Sequence, residues 1–154
     1  MKYRELEIKA ALKDYLRNFP LDRCVAVTLT MKQNNHGQRL DRISASQNFR
    51  HFTNCLNKHY FGNNAARYNK RLAVFPVIEY SQGKRLHYHL MQERKAGESD
   101  TRFRDVVQFY WTNTKFGYKE ICYKPRMDFG WVEYMLKEHD SSENVDWENF
   151  HNPR

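Results

Sequence analysis

Apolar residues recur along the chain with two periods, and the switches between them mark out its elements. Leu6, Leu12 and Leu16, spaced among charges, predict an amphipathic helix over residues 2–18 that Pro20 ends. The run VAVTLTM over residues 25–31 is β-branched and nearly free of charge, as a buried strand would be. The following QNNHGQ is rich in turn formers and predicts a loop. Residues 44–60 return to helical spacing, with Phe49, Phe52, Cys55 and Leu56 on one face. Residues 61–71 (FGNNAARYNKR) form a basic, aromatic, Asn-rich loop. Two strands, 72–80 and 85–93, then flank SQGK as a hairpin. A helix over 100–113, a strand over 118–124 ended by Pro125 and a helix over 128–137 complete the pattern. The order α-β-α-β-β-α-β-α predicts an α+β fold built around a mostly antiparallel sheet. Residues 1–138 are expected to be one domain, and residues 139–154 a flexible acidic tail.

Composition sharpens this picture. A length of 154 residues suits one domain, and a hydrophobic fraction of 40% suffices for one core. Aromatics reach 15%, so many must lie near the surface. The net charge is +8 and unevenly spread: five of the 18 acids but only one of the 26 bases follow Lys137. The body therefore carries 25 bases against 13 acids, which favours a polyanionic partner through counterion release. Solubilising surface charge is the bland alternative. Cys24, Cys55 and Cys122 form no C-x-x-C pair and read as reduced thiols of an intracellular protein. The N-terminus lacks the apolar core of a signal peptide, no apolar run is long enough for a membrane span, and no P-loop motif is present.

Candidate chemistry starts with Leu86-His87-Tyr88-His89-Leu90. Alternation along a strand puts His87 and His89 on one face, about 6–7 Å apart at Cα, where two imidazoles can meet one ion. H-x-H is short and occurs by chance, so a carboxylate partner matters. Glu79 stands in the otherwise apolar LAVFPVIEY, and its face depends on the hairpin register. A two-residue Gln82-Gly83 turn pairs it with Leu86, on the wrong face. A three-residue Ser81-Gln82-Gly83 loop puts it on the histidine side.

The last helix places Phe129, Trp131, Val132, Met135 and Leu136 on one arc, with Tyr134 about 140° from its centre. Lys137, three residues on, sits beside that tyrosine. A phenol with a neighbouring cation, off the apolar face, suits attack on a phosphodiester; a snorkelling surface tyrosine with a solvated lysine explains Y-x-x-K equally well by itself.

Taken together, these motifs resemble those of the HUH endonucleases, in the same order. Val27-Thr28-Leu29-Thr30 matches the apolar strand ending in Thr, His87-Tyr88-His89 the His-hydrophobic-His motif, and Tyr134-Met135-Leu136-Lys137 the helical Tyr with Lys three residues on. The resemblance spans about residues 25–138 and points to a single-tyrosine replication initiator of rolling-circle type. It implies a ferredoxin-like or RRM-like sheet of four to five strands, with a metal site on one face. It also implies Glu79 as third ligand to a divalent ion, Mn²⁺ or Mg²⁺. The implied activity is nicking and joining of single-stranded DNA, origin hairpins among the substrates, with Tyr134 linked to the 5′ phosphate and Lys137 assisting. The partners expected are single-stranded DNA and host replication proteins, and no membrane. The setting is the bacterial cytoplasm for a plasmid or phage protein, or the host nucleus for a eukaryotic virus.

Two other readings compete. One is a single-tyrosine transposase of the same superfold. The other is a non-catalytic single-strand binder, which explains the charge and aromatics but not His87, His89, Tyr134 and Lys137 together. The 61–71 loop, through Arg67, Tyr68, Lys70 and Arg71, is the expected DNA contact.

Overall fold

The valine- and threonine-rich run after the first helix becomes a central strand of a four-stranded sheet. This is a computed structural model, which describes residues 2–79, 85–126, 130–131, 133 and 144–152. Helix α1 (Lys2–Leu16) leads through a 3-10 turn into β1 (Cys24–Met31). A small hairpin of β2 (Asn34–Asn35) and β3 (Gln38–Arg39) precedes α2 (Arg42–Phe61) and the single-turn α3 (Asn64–Arg67). Strands β4 (Val74–Glu79) and β5 (His87–Glu93), helix α4 (Asp100–Thr112) and strand β6 (Gly117–Lys124) follow. The sheet order is β4-β5-β1-β6, antiparallel throughout. With α2 and α4 as crossovers, this is the expected ferredoxin-like α+β arrangement. Among the described residues, no helix is long and apolar enough to cross a membrane.

Local chemistry explains the element ends. Asp41 and Ser44 form a capping box at the start of α2: the Ser44 amide donates to the Asp41 carboxylate at 2.8 Å, and the Asp41 amide to the Ser44 hydroxyl at 3.0 Å. Ser99 caps α4 in the same way by accepting from the Arg102 amide. The β2–β3 turn carries His36 at φ 50° and Gly37 at φ 84°, the left-handed pair that a tight hairpin turn requires.

Strand alternation gives the sheet two unlike faces. Val25, Val27, Leu29 and Met31 of β1, with Tyr88 and Leu90 of β5, pack against Phe49, Phe52 and Leu56 of α2 and Phe103, Val107 and Trp111 of α4. Phe49 stacks on Tyr88 with ring centroids 4.5 Å apart. On the other face, Leu12, Leu16 and Phe19 cover Cys24, Phe75, Val77 and Met91. That cover is gathered at the Cys24 end of β1. The same face at the Met31 end carries Thr28, Thr30, His87, His89 and Glu79 instead of apolar side chains.

The acidic end of the chain departs from expectation. Residues 144–152 are not a frayed tail: they lie along the outer edge of β4. Val145 bridges to Val77 and His151 to Val74, and the Asp146 amide donates to the Pro76 carbonyl at 2.9 Å. Asp146 is buried and accepts from the Tyr88 hydroxyl (2.8 Å), the Asn149 amide nitrogen (2.7 Å) and the Ser46 hydroxyl (3.1 Å). Net charge and low hydropathy predict disorder only when polar groups lack internal partners, and here one buried carboxylate collects three donors. The segment also blunts an edge strand that would otherwise offer unpaired backbone groups.

Asp146→Ala should therefore destabilise the fold by about 2–4 kcal/mol, because three donors lose a charged acceptor at a buried site. Tyr88→Phe should cost about 1–2 kcal/mol. Urea titration followed by near-ultraviolet circular dichroism checks both, and wild-type stability in Asp146→Ala would show the segment to be loosely held.

Candidate functional site

Pairing of β4 with β5 decides whether the histidines have an acidic partner. Glu79 sits directly opposite His87, and Val77 opposite His89. This is a different partner from either hairpin register considered, but it has the parity of the three-residue loop, so Glu79 lies on the histidine face. The hairpin tip itself, residues 80–84, lies outside the described residues. The Nε2 atoms of His87 and His89 are 2.7 and 2.6 Å from Glu79 Oε2 and 3.1 Å from each other. These three residues form a potential metal-binding group, half-buried at Glu79 and His87 and buried at His89.

The other ring nitrogens are spent on orientation. Nδ1 of His87 donates to the Arg85 carbonyl at 2.9 Å, and Nδ1 of His89 lies 3.1 Å from the Thr28 hydroxyl. A carbonyl can only accept, so His87 carries its proton on Nδ1 and turns Nε2 toward Glu79. Such outer partners hold imidazoles in metal-ligating orientation. Burial pushes the Glu79 carboxyl up, but hydrogen bonds and charge from His89 and His87 outweigh it and leave the pKa lowered. The carboxylate is thus held in its ligating, ionised form.

The fit to a divalent cation can be judged from spacing. Neighbouring ligands at about 2.1 Å from an octahedral ion lie about 3 Å apart, and the three donor atoms here are separated by 2.6–3.1 Å. Two imidazoles and one carboxylate match the donor preferences of Mn²⁺ and its neighbours, and Mg²⁺ accepts fewer nitrogen ligands. Gln92, the alternative third ligand suggested by its position after the pair, is excluded by parity. It points with Tyr88 and Leu90 to the helix-covered face and donates to the Ala73 and Glu93 carbonyls.

The remaining candidate residues separate. Tyr134 and Lys137 lie outside the described residues. The described start of their segment does reach the site: Gly130, Trp131 and Glu133 are helical, and the Trp131 ring stands edge-on to His89 with centroids 6.0 Å apart. Lys124 caps the same indole at 5.3 Å, and Glu133 pairs with Lys13 at 3.7 Å. The 61–71 loop is far away. It feeds the Val74 end of β4, five residues and roughly 17 Å of strand from Glu79. Within it, Tyr68 is 70% exposed and Lys70 lies over the Phe61 ring, whereas Arg71 is engaged by Thr53 and Asn54 at 3.1 and 2.9 Å. Arg67 closes α3 and is exposed.

Sequence reasoning passed over two residues beside the cluster, Arg85 and Tyr118, having read Tyr118 with Tyr123 as strand packing. An odd separation of five residues sends these two tyrosines to opposite faces. Tyr123 packs near Phe103 and donates to Asp100, and Tyr118 lines a cavity with His87, Thr28 and Thr30. Burial first, and then the carboxylates of Glu98, Asp146 and Asp100, push up the phenols of Tyr60, Tyr88 and Tyr123. Those three are poor nucleophiles.

Comparison with known proteins adds one finding. The family model for the Replication-associated protein ORF2 family matches residues 24–139, which take in the whole sheet, the cluster and the Tyr134 segment. No curated protein and no solved structure gives a significant match.

Isothermal titration with Mn²⁺ should show His87→Ala, His89→Ala and Glu79→Ala each weakening binding by at least about tenfold. Thr28→Val should weaken it by a smaller factor, because it loosens His89 without removing a ligand atom. Unchanged affinity in all three ligand variants would remove the metal assignment.

Proposed function

Because the chain belongs to the Replication-associated protein ORF2 family, a family of replication initiators, we propose that it is a metal-dependent, single-tyrosine nuclease that nicks and rejoins single-stranded DNA. The observation that carries this reading is the convergence of Glu79, His87 and His89 on the open end of one sheet face, with Trp131 against His89. Tyr134 follows Trp131 by three residues, which span about 11 Å at full extension. Connectivity alone therefore keeps its phenol within reach of the cluster.

Ionising a phenol at pH 7 costs about 4 kcal/mol from its reference pKa. A divalent ion, when bound, polarises the phosphate and stabilises the charge that develops on it. The chain supplies the rest. Glu79, His87 and His89 would hold that ion, with Thr28 and the Arg85 carbonyl keeping the imidazoles oriented. The Tyr134 oxygen would form a bond to phosphorus as the bond to the 3′ oxygen breaks, leaving a 5′ phosphotyrosine and a 3′ hydroxyl once the leaving oxygen is protonated. Lys137 would stabilise the departing charge or donate that proton. The 3′ hydroxyl can then prime synthesis, and reversal of the same step rejoins the ends. The basic body would hold the strand electrostatically, with Arg67, Tyr68 and Lys70 reaching nucleotides beyond the far end of the sheet.

Incubation of the protein with a pool of single strands and Mn²⁺, followed by denaturing electrophoresis and peptide mapping, tests the proposal. Wild type should give a covalent adduct mapped to Tyr134. Tyr134→Phe should lose it while keeping Mn²⁺ binding, since only a hydroxyl is removed. Lys137→Ala should slow adduct formation without abolishing it. An adduct that persists in Tyr134→Phe, or one mapped to Tyr118, would overturn the assignment.

A further inference from the structure

Next to the cluster, on the same sheet face, lies a cavity of about 530 Å³ between the ends of β1, β5 and β6. It is the size of a small-ligand site, about 300–1,000 Å³. Thr28, Thr30, Arg85, His87, Tyr118 and Glu120 line it, so His87 belongs to both the cluster and the cavity. Three features give it a distinct chemistry. The Tyr118 ring faces it and carries the Arg85 guanidinium 5.9 Å from its centroid, in the cation–π geometry that an aromatic ligand can replace. Arg85 is exposed and so can leave the ring without losing a buried contact. Glu120 brings a carboxylate that makes no ion pair or side-chain hydrogen bond among the described residues; its backbone carbonyl, not its side chain, is the acceptor for Thr30.

An acid beside the phosphate-binding part of a cationic protein repels backbone and is useful only toward a donor. On a single strand, donors are found on the bases. We propose that this cavity holds one base adjoining the phosphate at the cluster, stacked on Tyr118, with Glu120 accepting from an exocyclic amino group. The base displaces Arg85 from the ring, and the guanidinium pairs with the neighbouring phosphate. The site therefore prefers cytosine or adenine to thymine, whose single ring N–H lies between two carbonyls that the carboxylate repels. Tyr118 supplies a face that any base can use, and Glu120 supplies the discrimination. The proposal rests on the nicking reading for the presence of a strand at the cluster, but its test does not require cleavage.

Fluorescence anisotropy of labelled dC12, dA12 and dT12 in EDTA reads binding where no strand is cut. Wild type should bind dC12 and dA12 more tightly than dT12. Tyr118→Ala should weaken all three by roughly tenfold, the scale of one stacked base, and Tyr118→Phe should restore that loss because the ring is kept. Arg85→Ala should weaken binding and flatten its salt dependence. Glu120→Gln should erase the preference, since an amide offers a donor as well as an acceptor. Equal binding of the three oligonucleotides by wild type, or wild-type affinity in Tyr118→Ala, overturns the base pocket. Adduct formation in Mn²⁺ is read separately. An adduct without the base preference overturns the pocket alone, and the base preference without an adduct overturns the nicking reading and supports the pocket.

Discussion

The antiparallel pairing of Glu79 with His87 is the constraint on which the site depends. A slip of one residue between β4 and β5 would send Glu79 to the helix-covered face and leave two imidazoles with no carboxylate. The helix side makes that slip costly. Tyr88, between the two histidines, is fully buried against Phe49 and Trp111 and donates to Asp146, so β5 cannot shift without exposing an aromatic and orphaning a hydroxyl. Packing on one face thus sets the coordination geometry on the other.

The chain end contributes to the same constraint. Residues 144–152 tie β4 at Val74, Pro76 and Val77, and Asp146 reaches across to Tyr88 on β5. The segment between Trp131 and Val145 consequently has both described ends at the cluster: Trp131 touches His89, and Val145 bridges Val77, the partner of His89. A stretch closed at both ends against the metal-ligating strands is a sound place to carry a nucleophile, because closure limits how far it can wander.

The sheet also separates two kinds of contact with a polyanion. At the Met31 end of β1 lie the cluster, Arg85 and Tyr118; at the opposite end of β4 lie Arg67, Tyr68 and Lys70. Arg71 is not available in the same way, because Thr53 and Asn54 hold its guanidinium. Charge counting treats these four residues alike, and only their partners distinguish them.

Much was legible in the amino-acid order by itself. Periods of two and of three to four residues located the four sheet strands and the three long helices α1, α2 and α4, because side-chain direction follows local backbone geometry. The same local rule put His87 and His89 on one face. What needed the folded chain was every relation between elements distant in sequence. The register that brings Glu79 to His87 was open between two parities, since turn composition alone cannot choose between them. The opposite facing of Tyr118 and Tyr123 follows from local alternation, but which face holds the site depends on where α1 and α2 dock. The acidic segment looked unpartnered because its partners, Tyr88, Ser46 and the β4 backbone, lie far from it along the chain. Local periodicity determined which side chains share a face; long-range pairing, held by buried aromatics and one buried carboxylate, decided which faces meet.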